Sequence, residues 1–137
     1  EIVDILRQRS RPYLFSNTVA PPVVAGAIKA IDLVEDSIDL QTRLKENTKY
    51  FRNGLEELGF NLLPGEHPIV PIMIGDASLA AKFAAEMLKN GVYVIAFSYP
   101  VVAKGMARIR TQMSASFSKE DLDSALNSFA LTKDKIL

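Results

Sequence analysis

Charged and polar side chains alternate with less polar ones in the stretch Arg108–Ser114, which reads Arg-Ile-Arg-Thr-Gln-Met-Ser. Successive side chains of a β-strand point to opposite faces, so Arg108 and Arg110 share one face and Ile109 lies on the other. A guanidinium group held on a strand can grip a carboxylate through two parallel hydrogen bonds. The pattern therefore indicates an anion site, although a solvated edge strand would also carry arginines on its outer face.

A second group of polar side chains lies near the beginning of the chain, where Ser16, Asn17 and Thr18 precede Pro21 and Pro22. Proline is favoured in the first turn of a helix, so we predict that a helix begins there. Hydroxyl and amide groups just before a helix commonly cap its backbone N–H groups, and the same arrangement can hold a phosphate. Both interpretations are open at this point.

The composition excludes several kinds of chemistry. The chain has 137 residues, is 48% hydrophobic and carries 16 basic and 16 acidic side chains, which is typical of a globular protein. Its formal net charge of zero gives no indication of binding to nucleic acid or to a membrane surface. The chain has no cysteine and one histidine, His67, which argues against thiolate or histidine metal sites and against a Ser-His-Asp triad.

The first part of the chain is predicted to be mainly helical. Helical spacing over Glu1–Arg11 is followed by Pro12, which is expected to end that helix and to be followed by an extended segment, Tyr13–Thr18. Apolar residues then recur at helical spacing as far as Gly59, with an acidic interruption at Asp36–Asp39. Helices of this length suit a connector between two lobes, so a second lobe is expected to begin shortly after them.

The second lobe is predicted to fold in the order β-α-β-β-α. Ile69–Gly75 is an apolar strand, and Asp76 and Ser118 are expected to cap two amphipathic helices. The apolar run Val92–Phe97 is typical of a strand buried on both faces, and the arginine-bearing strand follows it. These elements predict a small sheet with helices packed on one face.

Two motifs are similar to segments of a known enzyme family. The first is Arg9-Ser-Arg-Pro-Tyr-Leu-Phe-Ser-Asn17 followed by Ala20-Pro21-Pro22, and the second is Phe97-Ser-Tyr-Pro-Val-Val102 running into Lys104-Gly105 and Ala107–Ser114. Both resemble the α-oxoamine synthases, and the resemblance covers nearly the whole chain. It implies an α/β fold of the aspartate-aminotransferase-like type, fold type I of the enzymes that use pyridoxal phosphate. Residues 1–59 would be the end of a large domain with connector helices and a dimer-interface segment, and residues 60–137 the C-terminal small α/β domain.

The resemblance also implies an activity. The most similar branch of the family condenses glycine with acetyl-CoA to 2-amino-3-oxobutyrate and CoA, as part of threonine and glycine metabolism, with pyridoxal 5′-phosphate as cofactor. Other branches make 8-amino-7-oxononanoate, 5-aminolevulinate or a sphingoid base. A non-catalytic ligand-binding module of ferredoxin-like type is an alternative from a different class, as is a purely structural dimerisation segment. The expected location is the cytoplasm, or the mitochondrion in a eukaryote.

Specific residues correspond to functional positions of the family. Arg110 matches the arginine that binds the substrate carboxylate, and Ser16 and Asn17 match contacts to the cofactor from the neighbouring subunit, which implies a homodimer with a shared active site. The Schiff-base lysine of the family lies upstream of Glu1, so no catalytic residue is assigned within the chain.

Other positions of the motifs are less clear. Phe117 stands where relatives commonly carry histidine, which argues against a polar role at that position. Lys104 could contact a phosphate of CoA, although a loop lysine is usually solvated.

Overall fold

The computed structural model describes residues 1–137 and contains six helices and three strands. The helices are α1 (Ile2–Arg9), α2 (Arg11–Phe15), α3 (Pro21–Asp36), α4 (Ile38–Glu57), α5 (Ala77–Lys89) and α6 (Lys119–Ile136). The strands are β1 (Ile69–Gly75), β2 (Ile95–Phe97) and β3 (Ala107–Gln112). Internal contacts divide the chain into two units, Glu1–Ile38 and Asp39–Leu137. None of the helices combines the length and the apolar composition that crossing a bilayer requires.

The first unit contains α1, α2 and α3, and none of these helices buries a residue. The expected extended segment over Tyr13–Thr18 is wrong in its first half, because Arg11–Phe15 forms α2. Pro12 lies in the first turn of α2 and does not end α1, which stops at Arg9 with Ser10 in an extended conformation. A first turn tolerates proline because its backbone N–H groups have no acceptor within the helix.

The next two helices begin and end where the sequence predicts. Pro21 and Pro22 occupy the first turn of α3. The predicted interruption is also confirmed, because α3 ends at Asp36 and Ser37 leaves the helical conformation (φ −107°, ψ 57°) before α4 begins.

A glycine in a left-handed conformation follows the end of helix α4. Gly59 has φ +75°, a value at which a residue with a Cβ atom would be strained. Its N–H group donates to the carbonyl of Glu56 at 2.8 Å, and the N–H group of Phe60 donates to the carbonyl of Leu55 at 3.0 Å. This pair of bonds is a Schellman motif, and it satisfies carbonyl groups that the helix itself leaves free.

The second unit contains a three-stranded antiparallel sheet in the order β1-β3-β2. Together with α5 and α6, the strands follow the predicted order β-α-β-β-α. Asp76 caps α5 by accepting a hydrogen bond of 2.8 Å from the Leu79 N–H group, and Ser118 forms a reciprocal capping box with Asp121 at the start of α6. Both predicted caps are therefore confirmed.

The core of the second unit lies between one face of the sheet and the helices α4, α5 and α6. Four aromatic rings pack together there at centroid distances between 5.7 and 6.0 Å, three of the four contacts being edge-to-face: Phe51, Phe60, Phe83 and Phe129. Such pairs stabilise a core beyond the area that they bury. Val70 and Ile72 of β1 and Ile109 of β3 supply the sheet side, and each of the three is fully buried.

Helix α4 contributes to this core instead of only connecting two lobes. Its residues Phe51 and Leu55 are buried. The second unit therefore begins at Asp39 and includes α4, whereas the sequence suggested a second lobe that begins shortly after Gly59. Amphipathic spacing indicates that a helix has an apolar face but does not say which element covers it. The assignment of residues 1–59 to a large domain and of residues 60–137 to a small domain stays a prediction.

Strand β2 is shorter and more exposed than expected. The run Val92–Phe97 was predicted to be buried on both faces, but only Ile95–Phe97 forms β2, and Tyr93 and Ile95 are 75% and 42% exposed. The reason is that β2 is an edge strand. Ile95 pairs with the exposed Arg110, so it lies on the face of the sheet opposite the helices.

Candidate functional site

Strand β3 places its arginines on the face of the sheet that the helices leave open. Ile109 and Thr111 are buried against the core, whereas Arg110 and Gln112 are exposed and Arg108 is half-buried. The alternation predicted from the sequence is therefore confirmed. An anion that approaches this face would meet guanidinium groups carried by an ordered strand.

The strand that carries Arg110 is held on both sides and at its end. It bonds to β1 along one edge and to β2 along the other. Thr111 donates its buried hydroxyl group to the carbonyl of Val70 at 3.0 Å. Beyond the strand, the side-chain amide of Asn47 in α4 donates to the carbonyl groups of Ser114 at 2.9 Å and Phe117 at 3.0 Å. A strand that is held in this way suits a side chain that must orient a ligand.

The side chain of Arg110 has an aromatic neighbour and no anionic one. Its guanidinium carbon lies 4.7 Å from the centroid of the Phe97 ring. The ion pairs of the structure involve other residues, so no carboxylate of the chain neutralises Arg110. The cross-strand partners of Arg110 are Ile95 in β2 and Pro71 in β1, and both are apolar. The arginine is therefore supported by apolar surface and free to bind an external anion.

The other cations near this strand have different surroundings. Arg108 donates its Nε–H group to the carbonyl of Met106 at 3.1 Å, which holds it toward the preceding loop. Lys104 in that loop lies 5.2 Å from the centroid of the Tyr99 ring, and both side chains are exposed. Neither residue pairs with a carboxylate of the chain. A role of Lys104 in binding a CoA phosphate stays a prediction.

Ser16 and Asn17 lie in the first unit, in the exposed segment between α2 and α3. The interpretation that polar side chains here cap α3 is wrong, because the N-cap residue is Ala20 and no side chain caps the helix. The hydroxyl and amide groups of Ser16 and Asn17 are thus not used to begin the helix. They remain available to a ligand.

The first turn of α3 offers few donors to an anion. Pro21 and Pro22 have no N–H group, and the N–H groups of Val23 and Val24 both donate to the carbonyl of Ala20, at 2.9 and 3.2 Å. A phosphate at this place would therefore bind the side chains and the backbone N–H groups of residues 17–20, which donate to no backbone carbonyl. The usual contribution of a helix N-terminus to anion binding is reduced here.

Sequence reasoning did not identify two residues that support the candidate carboxylate site. The first is Phe97, whose contact with Arg110 depends on how β2 pairs with β3. The second is Asn47, which belongs to none of the motifs in the sequence but holds the end of β3 from α4. An aromatic residue in the strand preceding a pair of alternating arginines was the available signal for the first. No local signal marks the second, because its partners are distant in the sequence.

Comparison with known proteins identifies relatives of the chain. The family profile described as aminotransferase class I and II matches residues 1–129. The chain is 51% identical over 129 residues to a 2-amino-3-ketobutyrate coenzyme A ligase of Salmonella typhimurium. The aligned region covers 94% of this chain and 32% of that protein. It is 40% identical over 136 residues to an 8-amino-7-oxononanoate synthase of Thermosipho melanesiensis, and this aligned region covers 99% of this chain and 35% of that protein.

A solved structure gives the same result for the fold. A serine palmitoyltransferase from S. paucimobilis, solved with PLP and myriocin bound, superposes with a TM-score of 0.88 and 26% identity over 97% of this chain and 34% of that chain. The chain thus spans about a third of the length of the curated relatives that it matches, which cover it almost end to end. With its arginine-bearing strand and its matching fold, the chain belongs to the aminotransferase class I and II family.

Proposed function

We propose that this chain is the C-terminal portion of a glycine C-acetyltransferase, also called 2-amino-3-ketobutyrate coenzyme A ligase. The enzyme condenses glycine with acetyl-CoA and releases 2-amino-3-oxobutyrate and CoA. The observation that carries the proposal is Arg110, a guanidinium group without an anionic partner on the central strand of the small domain. The 51% identity to a ligase of this name supports the choice of reaction.

The proposed role of Arg110 is to bind the carboxylate of glycine. A planar guanidinium group can donate two parallel hydrogen bonds to a carboxylate, which fixes both the position and the rotation of the bound amino acid. That rotation decides which bond of the glycine Cα atom is aligned for cleavage. Arg110 would thus set the geometry of proton loss at Cα without taking the proton itself.

Pyridoxal 5′-phosphate, when bound, supplies the electron sink for the negative charge that develops at the glycine Cα atom. This chain has hydrogen-bond donors of the types that bind a phosphate group. They are the hydroxyl group of Ser16, the amide of Asn17 and the backbone N–H groups of residues 17–20. We assign these contacts to the cofactor of the neighbouring subunit, so the active enzyme is a homodimer. The lysine that carries the cofactor is expected upstream of Glu1, and no residue of this chain is given a covalent role.

A second candidate is the synthesis of 8-amino-7-oxononanoate, since a synthase of that name is 40% identical to the chain. The lower identity favours glycine and acetyl-CoA as the substrates. A free-standing ligand-binding module receives less support, because the family match begins at residue 1 and includes the whole first unit. The cytoplasmic location, or the mitochondrial one in a eukaryote, and the place in threonine breakdown stay predictions.

The proposal is tested with the full-length enzyme loaded with cofactor. Release of CoA is measured with glycine and acetyl-CoA, with glycine and succinyl-CoA, and with alanine and pimeloyl-CoA. Glycine with acetyl-CoA is expected to give the highest kcat/KM. An equal or higher value for either other pair would overturn the proposed reaction. The variant Arg110→Ala is expected to lower kcat/KM for glycine by up to about two orders of magnitude, the effect of removing a charged hydrogen-bonding partner.

A further inference from the structure

Phe97 ends β2 on the same face of the sheet as Arg110. In the pairing of β2 with β3, Ile95 lies opposite Arg110, and Phe97 lies opposite Arg108. Residues that are paired across antiparallel strands share a face, and diagonal neighbours are within reach of aromatic and long side chains. The separation of 4.7 Å between the guanidinium carbon of Arg110 and the centroid of the Phe97 ring is within the range of cation–π attraction.

Packing of the core does not explain this ring. The core cluster and the partly buried residues packed against it include Ala96, the neighbour of Phe97 in β2, but not Phe97 itself. The ring therefore projects from the open face of the sheet, where it lies across from Arg108 and has the guanidinium group of Arg110 over it.

Arg110 needs such a neighbour because nothing else within the chain restrains its charged end. Arg108, on the same face, is held by its hydrogen bond to the carbonyl of Met106. No comparable hydrogen bond or ion pair restrains the guanidinium group of Arg110. A long flexible side chain that is ordered only when the ligand arrives loses conformational entropy on binding, and this loss weakens the affinity.

We infer that Phe97 is a positioning residue for glycine, acting through Arg110. The inference rests on the proposed function, since it deepens the role given there to Arg110. The hydrogen bonds of a guanidinium group lie in its plane, whereas attraction to an aromatic ring uses one of its two faces. The ring can therefore hold the group in place while the N–H donors stay free for a carboxylate.

The test compares variants of the full-length enzyme loaded with cofactor. The dissociation constant for glycine is measured by titration calorimetry, and KM is measured for glycine and for acetyl-CoA. Phe97→Leu, which removes the ring and keeps an apolar side chain, is expected to raise the dissociation constant and KM for glycine about fivefold. Phe97→Tyr, which keeps the ring, is expected to bind glycine as the wild type does. KM for acetyl-CoA is expected to stay unchanged in both.

Tyr93→Leu serves as the matched control. Tyr93 precedes β2 and is 75% exposed, and its ring has no cation over it in the structure. The same change from an aromatic residue to leucine should therefore leave glycine binding unchanged. Equal weakening by Tyr93→Leu and Phe97→Leu, or failure of Phe97→Tyr to retain affinity, would overturn the inference. So would a loss in Phe97→Leu that affects glycine and acetyl-CoA alike, because that is the result of general disruption.

The variant Arg110→Lys distinguishes this inference from the proposed function. If Arg110→Lys weakens glycine binding and Phe97→Leu does not, the role of Phe97 fails while the proposed function stands. If Arg110→Lys leaves glycine binding unchanged, the proposed role of Arg110 fails and the inference fails with it. If both single variants weaken binding, the double variant of Phe97→Leu with Arg110→Ala is expected to bind glycine no more weakly than Arg110→Ala alone, since the ring acts only through the cation at position 110.

Discussion

The side-chain amide of Asn47 donates a hydrogen bond of 2.9 Å to the carbonyl group of Ser114, which lies 67 residues further along the chain. The same amide donates to the carbonyl of Phe117 at 3.0 Å, so one side chain holds both ends of the turn between β3 and α6. Helix α4 thereby fixes the place where the arginine-bearing strand leaves the sheet. Each carbonyl group has a second, longer bond, from the Phe117 N–H group to Ser114 at 3.4 Å and from Arg43 to Phe117 at 3.3 Å, so Asn47 supplies the shorter bond to each.

We predict that Asn47→Leu loosens this turn. The two lost hydrogen bonds should lower the local free energy of opening by about 1 to 2 kcal/mol. Hydrogen exchange of the full-length protein, followed by mass spectrometry over residues 107–118, measures this quantity. Asn53→Leu is the control, because Asn53 is an exposed residue of the same helix whose side chain is in no described hydrogen bond. Equal exchange in the two variants would contradict the role of Asn47.

Lys133 is predicted to stabilise the end of α4. Its ammonium group donates to the carbonyl group of Leu58 and, at 3.3 Å, to that of Gly59, and it lies 5.3 Å from the centroid of the Phe60 ring. A cation at this position neutralises the partial negative charge of a helix C-terminus. Lys133→Met should therefore lower the free energy of unfolding of this region by about 1 kcal/mol.

The measurement for Lys133 is the exchange rate of the amides in the last turn of α4, with Lys82→Met as the control. Lys82 is exposed on α5 and belongs to no ion pair of the structure, so its replacement should leave those amides as they are. Slower or unchanged exchange in Lys133→Met would show that the lysine does not support the helix end.

Glu86 links α5 to the end of α6, and its effect on stability should depend on pH. Its carboxylate accepts hydrogen bonds from Lys135 at 2.6 Å and from Lys89 at 3.0 Å. These partners, Lys135 first, lower the pKa of Glu86 from its ordinary value of 4.5. A carboxyl group whose pKa is lower in the folded state stabilises that state above its ordinary pKa, and the stabilisation is lost as the pH falls through the folded value.

The variant Glu86→Gln is therefore expected to be less stable than the wild type at pH 7, and the difference should shrink as the pH falls below 4.5. Thermal melting of the two proteins across this range measures the difference. Glu46→Gln is the control, since Glu46 is exposed and belongs to no ion pair of the structure. A difference between Glu86→Gln and wild type that is the same at pH 7 and well below pH 4 would refute the assignment.

The order of elements in the second unit could be predicted because each is marked locally. Asp76 and Ser118 are residue types that commonly cap a helix, so each marks the start of one. The alternation over Arg108–Ser114 indicates a strand and shows which of its side chains share a face. The short helix α2 was missed because Pro12 is compatible both with the end of one helix and with the first turn of another. Only the path of the backbone after Arg9 decides between these two readings.

The candidate site was predictable only in part, for a different physical reason. The sequence alone places Arg110 on the open face of β3, because alternation is a property of one strand. The position of Phe97 beside it depends on the register between two strands, and a slip of one residue would turn the ring to the other face. The prediction that Ser16 and Asn17 cap α3 was wrong because capping depends on the residue at which the helix begins. The N-cap residue is Ala20.

A shared active site predicts that two defective subunits can repair each other. If each site takes Arg110 from one subunit and Asn17 from the other, dimers of Arg110→Ala alone and of Asn17→Ala alone each contain two damaged sites. A mixed dimer then contains one site with both changes and one site with neither. Random mixing makes half of the dimers hybrid, so the mixture should recover about a quarter of the wild-type activity with glycine and acetyl-CoA.

The mixture is made by joint refolding or by co-expression with two different affinity tags, and hybrids are purified over both tags. If both residues instead served the site of their own subunit, every site would keep one defect, and the purified hybrid would be no more active than its parents.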